Sequence, residues 1–241
     1  MATIERPEEV FAPLVEDYKA LYLDGLVSII LYGSGAGKDY RPGKSDVNFL
    51  IILTDDVIDG LDRALDTVAR WRKKNVAVPL FMSRSYIHSS CDAFPLEFLT
   101  MKNSYRVVHG DAVLSEISFD MNDVRLQCER EIKGKLLLLR EGFMGAGGKR
   151  KQIEELIAAS ITAFVAIFHG LLYMKGREIP ATKREIIHEC GEVIPIDRDV
   201  FTACLDIKEG KKDRSSDVTG LFTRYLAEVR KLWQYVDTMD V

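Results

Sequence analysis

One stretch limits the fold more than any other. Residues 156–174 (LIAASITAFVAIFHGLLYM) run for 19 positions without a formal charge. A run of that length either crosses a bilayer or forms the centre of a helical bundle, where a helix is apolar all round. Ser160, Thr162, His169 and Gly170 dilute it, and no second stretch like it occurs, so a buried bundle helix and no membrane partner are expected. The 241 residues, 47% hydrophobic and 29% charged, can form one large domain or two ordinary ones and are too apolar for global disorder.

The chain changes character near residue 120, which divides it into 1–119 and 120–241. Residues 26–32 (LVSIILY) and 47–53 (VNFLIIL) are β-rich runs of strand length. Residues 8–23 and 55–74 carry apolar positions at helical spacing, and 76–82, 94–101 and 105–108 read as further strands. After residue 120 only helices are expected: 123–140, 151–175, 183–190, 199–205 and 218–236. Residues 142–148 (GFMGAGG) read as a flexible loop and 209–217 (EGKKDRSSD) as a solvated one. The fold class is therefore α+β, a mixed sheet with flanking helices followed by a C-terminal helical bundle.

Charge and cysteines exclude several functions. Thirty-three Lys and Arg against 37 Asp and Glu give −4 at pH 7, which lacks the basic field of a dedicated nucleic-acid binder. Cys91, Cys128, Cys190 and Cys204 are scattered, with no C-x-x-C pair for zinc or redox chemistry. The acidic start MATIERPEEVF shows no signal pattern, and a cytoplasmic location is expected.

Chemistry concentrates in residues 31–53, LYGSGAGKDYRPGKSDVNFLIIL. A phosphate-binding P-loop is excluded. Three residues rather than four separate Gly33 from Gly37, and Asp39 follows Lys38 where a Ser or Thr would ligate magnesium. A dinucleotide fingerprint is excluded too, because Lys38 stands at the third glycine and Tyr40-Arg-Pro-Gly43 breaks any following helix. What remains is an apolar strand, Gly33-Ser34, a polar loop, and Asp46-Val47-Asn48 opening a second strand. Residues i and i+2 of a strand share a face, so Asp46 and Asn48 would address one site.

That order resembles the motif of the polymerase-β-like nucleotidyltransferase superfamily. The wider layout, a sheet domain followed by a bundle built on a long apolar helix, is similar to the kanamycin- and streptomycin-type antibiotic nucleotidyltransferases. The resemblance implies a nucleotidyltransferase-type sheet, with Gly33 and Ser34 holding a triphosphate and Asp46 a magnesium ion. Position 48 departs from the family pattern, Asn standing where a second carboxylate belongs, and magnesium prefers anionic oxygen. A third carboxylate normally lies on a neighbouring strand. The 76–82 run has none, which leaves Glu97 in Phe94-Pro-Leu-Glu-Phe-Leu99 as the replacement, on the face of that run opposite Phe94, Leu96 and Phe98. Asp46, Asn48 and Glu97 are thus the candidate catalytic positions.

Lys38, Arg41 and Lys44 recur at every third position beside this pocket. Their charge suits phosphate, as it suits a solvated loop, and Lys44 joins Gly33 and Ser34 as a nucleotide-binding candidate. Arg184 and His188, four apart on one helix face, are similar to the Arg/His pair of HEPN nucleases but more closely spaced. His169 is expected as a hydrogen-bonded core histidine. Two functions follow. One is transfer of a nucleoside monophosphate from an NTP to a small-molecule or protein hydroxyl, impaired by the missing carboxylate. The other is a catalytically inactive module that binds a nucleotide or a partner. A homo-oligomer through the helical half is a further expectation.

Overall fold

The two apolar runs flanking the Gly33-Ser34 turn pair with each other at the centre of a sheet. In the computed structural model, which describes residues 4–211 and 217–240, helix α1 (Phe11–Tyr22) precedes strand β1 (Leu26–Tyr32), and β2 (Asn48–Leu53) returns antiparallel beside it. Helix α2 (Leu65–Arg72) leads to β3 (Leu80–Ser83), parallel to β2. Helices α3 (Arg84–Ser89) and α4 (Pro95–Asn103) then precede β4 (Tyr105–Gly110), antiparallel to β1, and the short α5 (Val113–Glu116). The strand order is β3-β2-β1-β4. Among the described residues five helices follow: α6 (Met121–Ala146), α7 (Arg150–Met174), α8 (Lys183–Val193), α9 (Arg198–Glu209) and α10 (Val218–Asp237). The expected 209–217 loop falls largely on residues outside those described.

The chain forms two compact units, Met1–Phe94 with Phe98–Phe119, and Pro95–Glu97 with Asp120–Val241. In the first, α1 lays Leu14, Tyr18 and Tyr22 over a sheet face made by Ile29, Leu31, Val47, Phe49, Ile51 and Leu53. Phe11 meets Phe49 edge-on at 6.2 Å, and Tyr18 meets Phe81 at 6.0 Å. Trp71 closes the same cluster and donates its Nε1–H to Asp17 Oδ2 at 2.8 Å. Strand alternation then turns residues 46, 48, 50 and 52 to the opposite face.

Three local expectations are corrected. Residues 55–74 do not form one helix: turns close from Val57 onto Thr54 and from Gly60 onto Val57, and only Leu65–Arg72 is α-helical. Residues 94–101 are not a strand. Pro95 stands in the first turn of α4, where its fixed φ favours the helix and its missing N–H costs nothing. Residues 142–148 are not a loop throughout, because α6 continues to Ala146 and ends at Gly147 in the left-handed region. Gly142 serves close packing instead: a Cβ there would lie 2.8 Å from Leu156 Cδ1.

In the second unit α7 contacts α6, α8, α9 and α10. By length and composition α7 is also long and apolar enough to cross a membrane. Its buried face presents Phe164 and Phe168 to Phe201, with Tyr225 5.5 Å from Phe164 and 5.6 Å from Phe201. Ser160, a polar interruption in the apolar run, is met by the Tyr225 hydroxyl at 3.1 Å. His169 differs from expectation. Its Nδ1 is buried without a hydrogen-bond partner, and burial lowers the ring's pKa to about 4, so the ring is neutral. Burial also pushes the Cys204 thiol up to about 12, and raises Cys128 and Cys190 further, which leaves these thiols unreactive. Arg184 is held by Asp206 at 2.6 Å and Glu209 at 3.0 Å, and His188 by Arg198 at 3.1 Å, so the two residues are tied to different partners.

Candidate functional site

The β1–β2 register assembles the motif at one end of the sheet. Tyr32 pairs with Asn48, so the chain leaves β1 into Gly33-Ser34 directly beside the residues that open β2. Gly33 has φ +70°, a conformation a side chain would strain. Gly33–Gly35 then makes a single 3-10 turn, closed by Ala36 N–H on Gly33 O at 3.0 Å and Gly37 N–H on Ser34 O at 3.2 Å. The leading N–H groups of such a turn have no acceptor within it, which suits them to an anion.

The distances are short. A Cβ placed on Gly33 would lie 4.0 Å from Asn48 Nδ2, and one on Gly35 would lie 3.9 Å from Asp46 O. Val47 is buried under α1 and pairs with Val76, while Asp46 is exposed and Asn48 half-buried. Asp46 has no ion-pair partner among the described residues. Asn48 Nδ2 makes a long 3.5 Å contact to Asp46 O. The structure therefore brings Gly33, Ser34, Asp46 and Asn48 together.

Lys44 and Glu97 stand differently. Lys44 is exposed on the turn that Lys44 and Ser45 N–H groups close onto Arg41 O at 3.1 and 2.9 Å. There it lines a cleft of about 230 Å³ with Asp46. Glu97 belongs to the second unit, in the first turn of α4, where Gln127 Nε2 donates to its Oε2 at 2.7 Å. Gln127 Oε1 also accepts the Leu96 N–H at 2.8 Å. That buried amide fixes the start of the helix.

Sequence reasoning missed Ser104. Its carbonyl accepts the Gly33 N–H at 3.0 Å and its hydroxyl donates to Gly33 O at 3.1 Å, so it holds both polar groups of the glycine. Nothing local in Asn-Ser-Tyr signals this, because the contact is made only when β4 pairs with β1.

Among the described residues, no group of three or more His, Cys, Asp or Glu is placed to hold a metal ion. Magnesium commonly binds one or two carboxylates plus substrate phosphates. Asp46 with the Asn48 amide oxygen meets the lower limit of that donor set, for one ion carried by a nucleotide. It does not meet the needs of a second ion, whose charge would have a dipole where it needs an anion.

No family model matches the chain, and no curated protein does. A solved structure of spectinomycin adenyltransferase AAD(9) from Enterococcus faecalis, with ATP and spectinomycin, superposes over 94% of this chain and 99% of its own, with a TM-score of 0.52 and 10% identity. The fold is that of a nucleotidyltransferase. To that likeness this chain brings a mixed four-stranded sheet with flanking helices and a following helical region. Within the nucleotidyltransferase fold, the Gly33-Ser34 turn and Asp46-x-Asn48 occupy the junction of the two central strands.

Proposed function

We propose that the chain binds a nucleoside triphosphate at Gly33-Ser34 and Asp46, and transfers its nucleoside monophosphate to a hydroxyl acceptor with impaired activity. The observation that carries this reading is the Tyr32–Asn48 pairing, which sets an anion-suited turn beside the Asp-x-Asn pair. A nucleotidyltransferase fold makes that juxtaposition chemically meaningful. The neighbour binds ATP and a small-molecule acceptor, and the same classes of ligand are proposed here, with no acceptor named.

In this reading the Ser34 hydroxyl and the N–H groups of Ser34 and Gly35 bind phosphate oxygens, the Gly33 N–H being held by Ser104. Asp46 and the Asn48 amide oxygen would hold magnesium, which supplies neutralisation of phosphate charge when bound. The acceptor oxygen attacks the α-phosphorus and pyrophosphate leaves. Asn48 is where the rate is lost, because an amide neither carries charge nor accepts a proton as a carboxylate does. The free cysteines and the use of NTP fit a cytoplasmic setting, and the helical unit is the proposed face for a second copy.

The lack of a three-carboxylate cluster among the described residues favours a second reading, a module that binds nucleotide without turnover. Calorimetry with ATP or GTP and magnesium, together with pyrophosphate release on the same sample, separates the two. Transfer predicts metal-dependent binding with slow release, both lost in Asp46→Ala. Binding without release supports the module, and absence of binding removes both.

A further inference from the structure

The cleft that Lys44 and Asp46 line has a further wall that the transfer reading does not use. This cleft of about 230 Å³ is lined by Tyr40, Lys44, Ser45, Asp46, Arg72 and Asn75, with Ile4, Gly43, Val76 and Ala77 as its uncharged remainder. It lies between the 40–46 turn and the end of α2. Its polar character is uneven. Lys44 and Arg72 supply two cations, Asp46 one carboxylate, and Tyr40, Ser45 and Asn75 neutral polar groups.

Neither cation is engaged elsewhere among the described residues. Lys44 and Arg72 have no ion-pair partner among the described residues, whereas the neighbouring Arg70 is held by Asp17 at 2.7 Å and Lys74 lies 4.6 Å over the Trp71 ring. The 70–75 segment, RWRKKN, holds four basic residues and no acid. The carbonyls ending α2 do not oppose an anion strongly. Trp71 O accepts from Lys74 and Val76 N–H, and Arg72 O accepts from Asn75 N–H. Tyr40 is fixed by its hydroxyl's 2.7 Å bond to Ile4 O, so this wall is preformed.

We propose that this cleft binds a small phosphoryl anion of the phosphate or diphosphate class, with Arg72 and Lys44 as its charged ligands. A planar guanidinium forks two donors toward such oxygens, and an ammonium adds a point charge. The pocket is too small and too polar for an apolar ligand, and its net positive lining disfavours a free cation. The anion comes either free from solution or as the phosphate tail of a nucleotide. The free-anion case stands apart from the transfer reading, since it requires neither magnesium nor turnover, while the nucleotide case rests on that reading and adds Arg72 to its ligands.

The test is a calorimetric titration of the intact chain with inorganic phosphate, with pyrophosphate, and with ATP plus magnesium, repeated in Arg72→Ala, Arg72→Lys, Lys44→Ala and Ser34→Ala. Arg72 and Lys44 are exposed, so the variants should fold, with circular dichroism as the check. Pyrophosphate binding should weaken about tenfold or more in Arg72→Ala and in Lys44→Ala, and less in Arg72→Lys. Ser34→Ala, which removes a neutral hydroxyl of the Gly33–Gly35 turn and no charge, should weaken it less than Arg72→Ala does. If Arg72→Ala weakens ATP binding equally, the anion is the nucleotide tail; if it weakens pyrophosphate alone, the anion is free. No pyrophosphate binding, binding indifferent to Arg72, or a loss seen only in Ser34→Ala each overturns the proposal. ATP binding that fails while Arg72-dependent pyrophosphate binding persists removes the transfer reading and keeps the cleft.

Discussion

The sheet unit and the helical unit spend their polar residues in opposite ways. In the helical unit polar side chains near the core are mostly tied off: Ser160 on Tyr225, Gln127 on Leu96 and Glu97, Glu228 on the Asp197 N–H at 2.8 Å. In the sheet unit one corner is left open, with Asp46, Lys44 and Arg72 free of ion pairs among the described residues. Paired polar groups hold a structure together, and unpaired ones at a concave surface are available to a ligand. The comparison therefore assigns stability to one set of residues and binding to another, and that assignment can be broken.

The largest effect should come from Phe201, fully buried between Phe164, Phe168 and Tyr225. Phe201→Ala removes the middle of this cluster and should cost about 3–5 kcal/mol. The chain has two tryptophans, Trp71 in the sheet unit and Trp233 in the helical one. Denaturation followed by fluorescence in Trp71→Phe and Trp233→Phe backgrounds reads each unit. The Trp233 midpoint should fall further than that of Trp71. Equal shifts would show that the units unfold as one, and the division of labour would then be geometrical only.

His169 gives the next effect, and its sign follows from burial. The folded ring titrates at about 4 against an ordinary 6.5, so on acidification the unfolded chain takes its proton first. The neutral ring's contribution is complete above pH 6.5 and is lost as pH falls toward 4. Its full loss amounts to about 3 kcal/mol. Stability measured across this range should be steeper in the parent chain than in His169→Gln. Matching slopes would place the acid sensitivity elsewhere.

Gln127 ranks below these. Gln127→Leu keeps the bulk but leaves the Leu96 N–H without its acceptor and Glu97 without its donor, at a cost of about 1–3 kcal/mol. Urea denaturation reads it, and a neutral result would mean that α4 re-forms its first turn unaided.

How much of this was legible varies with the range of the interactions involved. Both central strands, the motif between them and the long helices show in the sequence, because each depends on local periodicity or on residues close in the chain. α7 runs Arg150–Met174 against an expected 151–175. Where the expectation failed, a distant contact or a turn decided the outcome. Gly142 reads as a loop glycine until Leu156 is seen against it, and 94–101 reads as a strand although Pro95 starts a helix there. Ser104 carries no local mark at all, since only β4 pairing brings it to Gly33. At the site, the Gly33-Ser34 and Asp46-x-Asn48 halves were legible because one hairpin-like register joins them. Arg72 was not, because nothing in residues 40–46 indicates that the end of α2 lies across the cleft.

The smallest effect tests the sharpest point, the identity of residue 48. Asn48→Asp places a second carboxylate two positions from Asp46 on the same strand face, near the surface where water screens both. Without metal the repulsion should cost only about 0.5 kcal/mol. Asn48 also gives up only a long amide contact, so little else is lost. Magnesium should reverse the sign: the variant should bind it roughly tenfold more tightly than the parent and become the more stable of the two in its presence. Thermal melts with and without magnesium, beside a direct metal titration, read both halves. A destabilisation that magnesium does not relieve would mean that positions 46 and 48 share a face without forming a metal site. The open corner of the sheet unit would then rest on Lys44 and Arg72 alone.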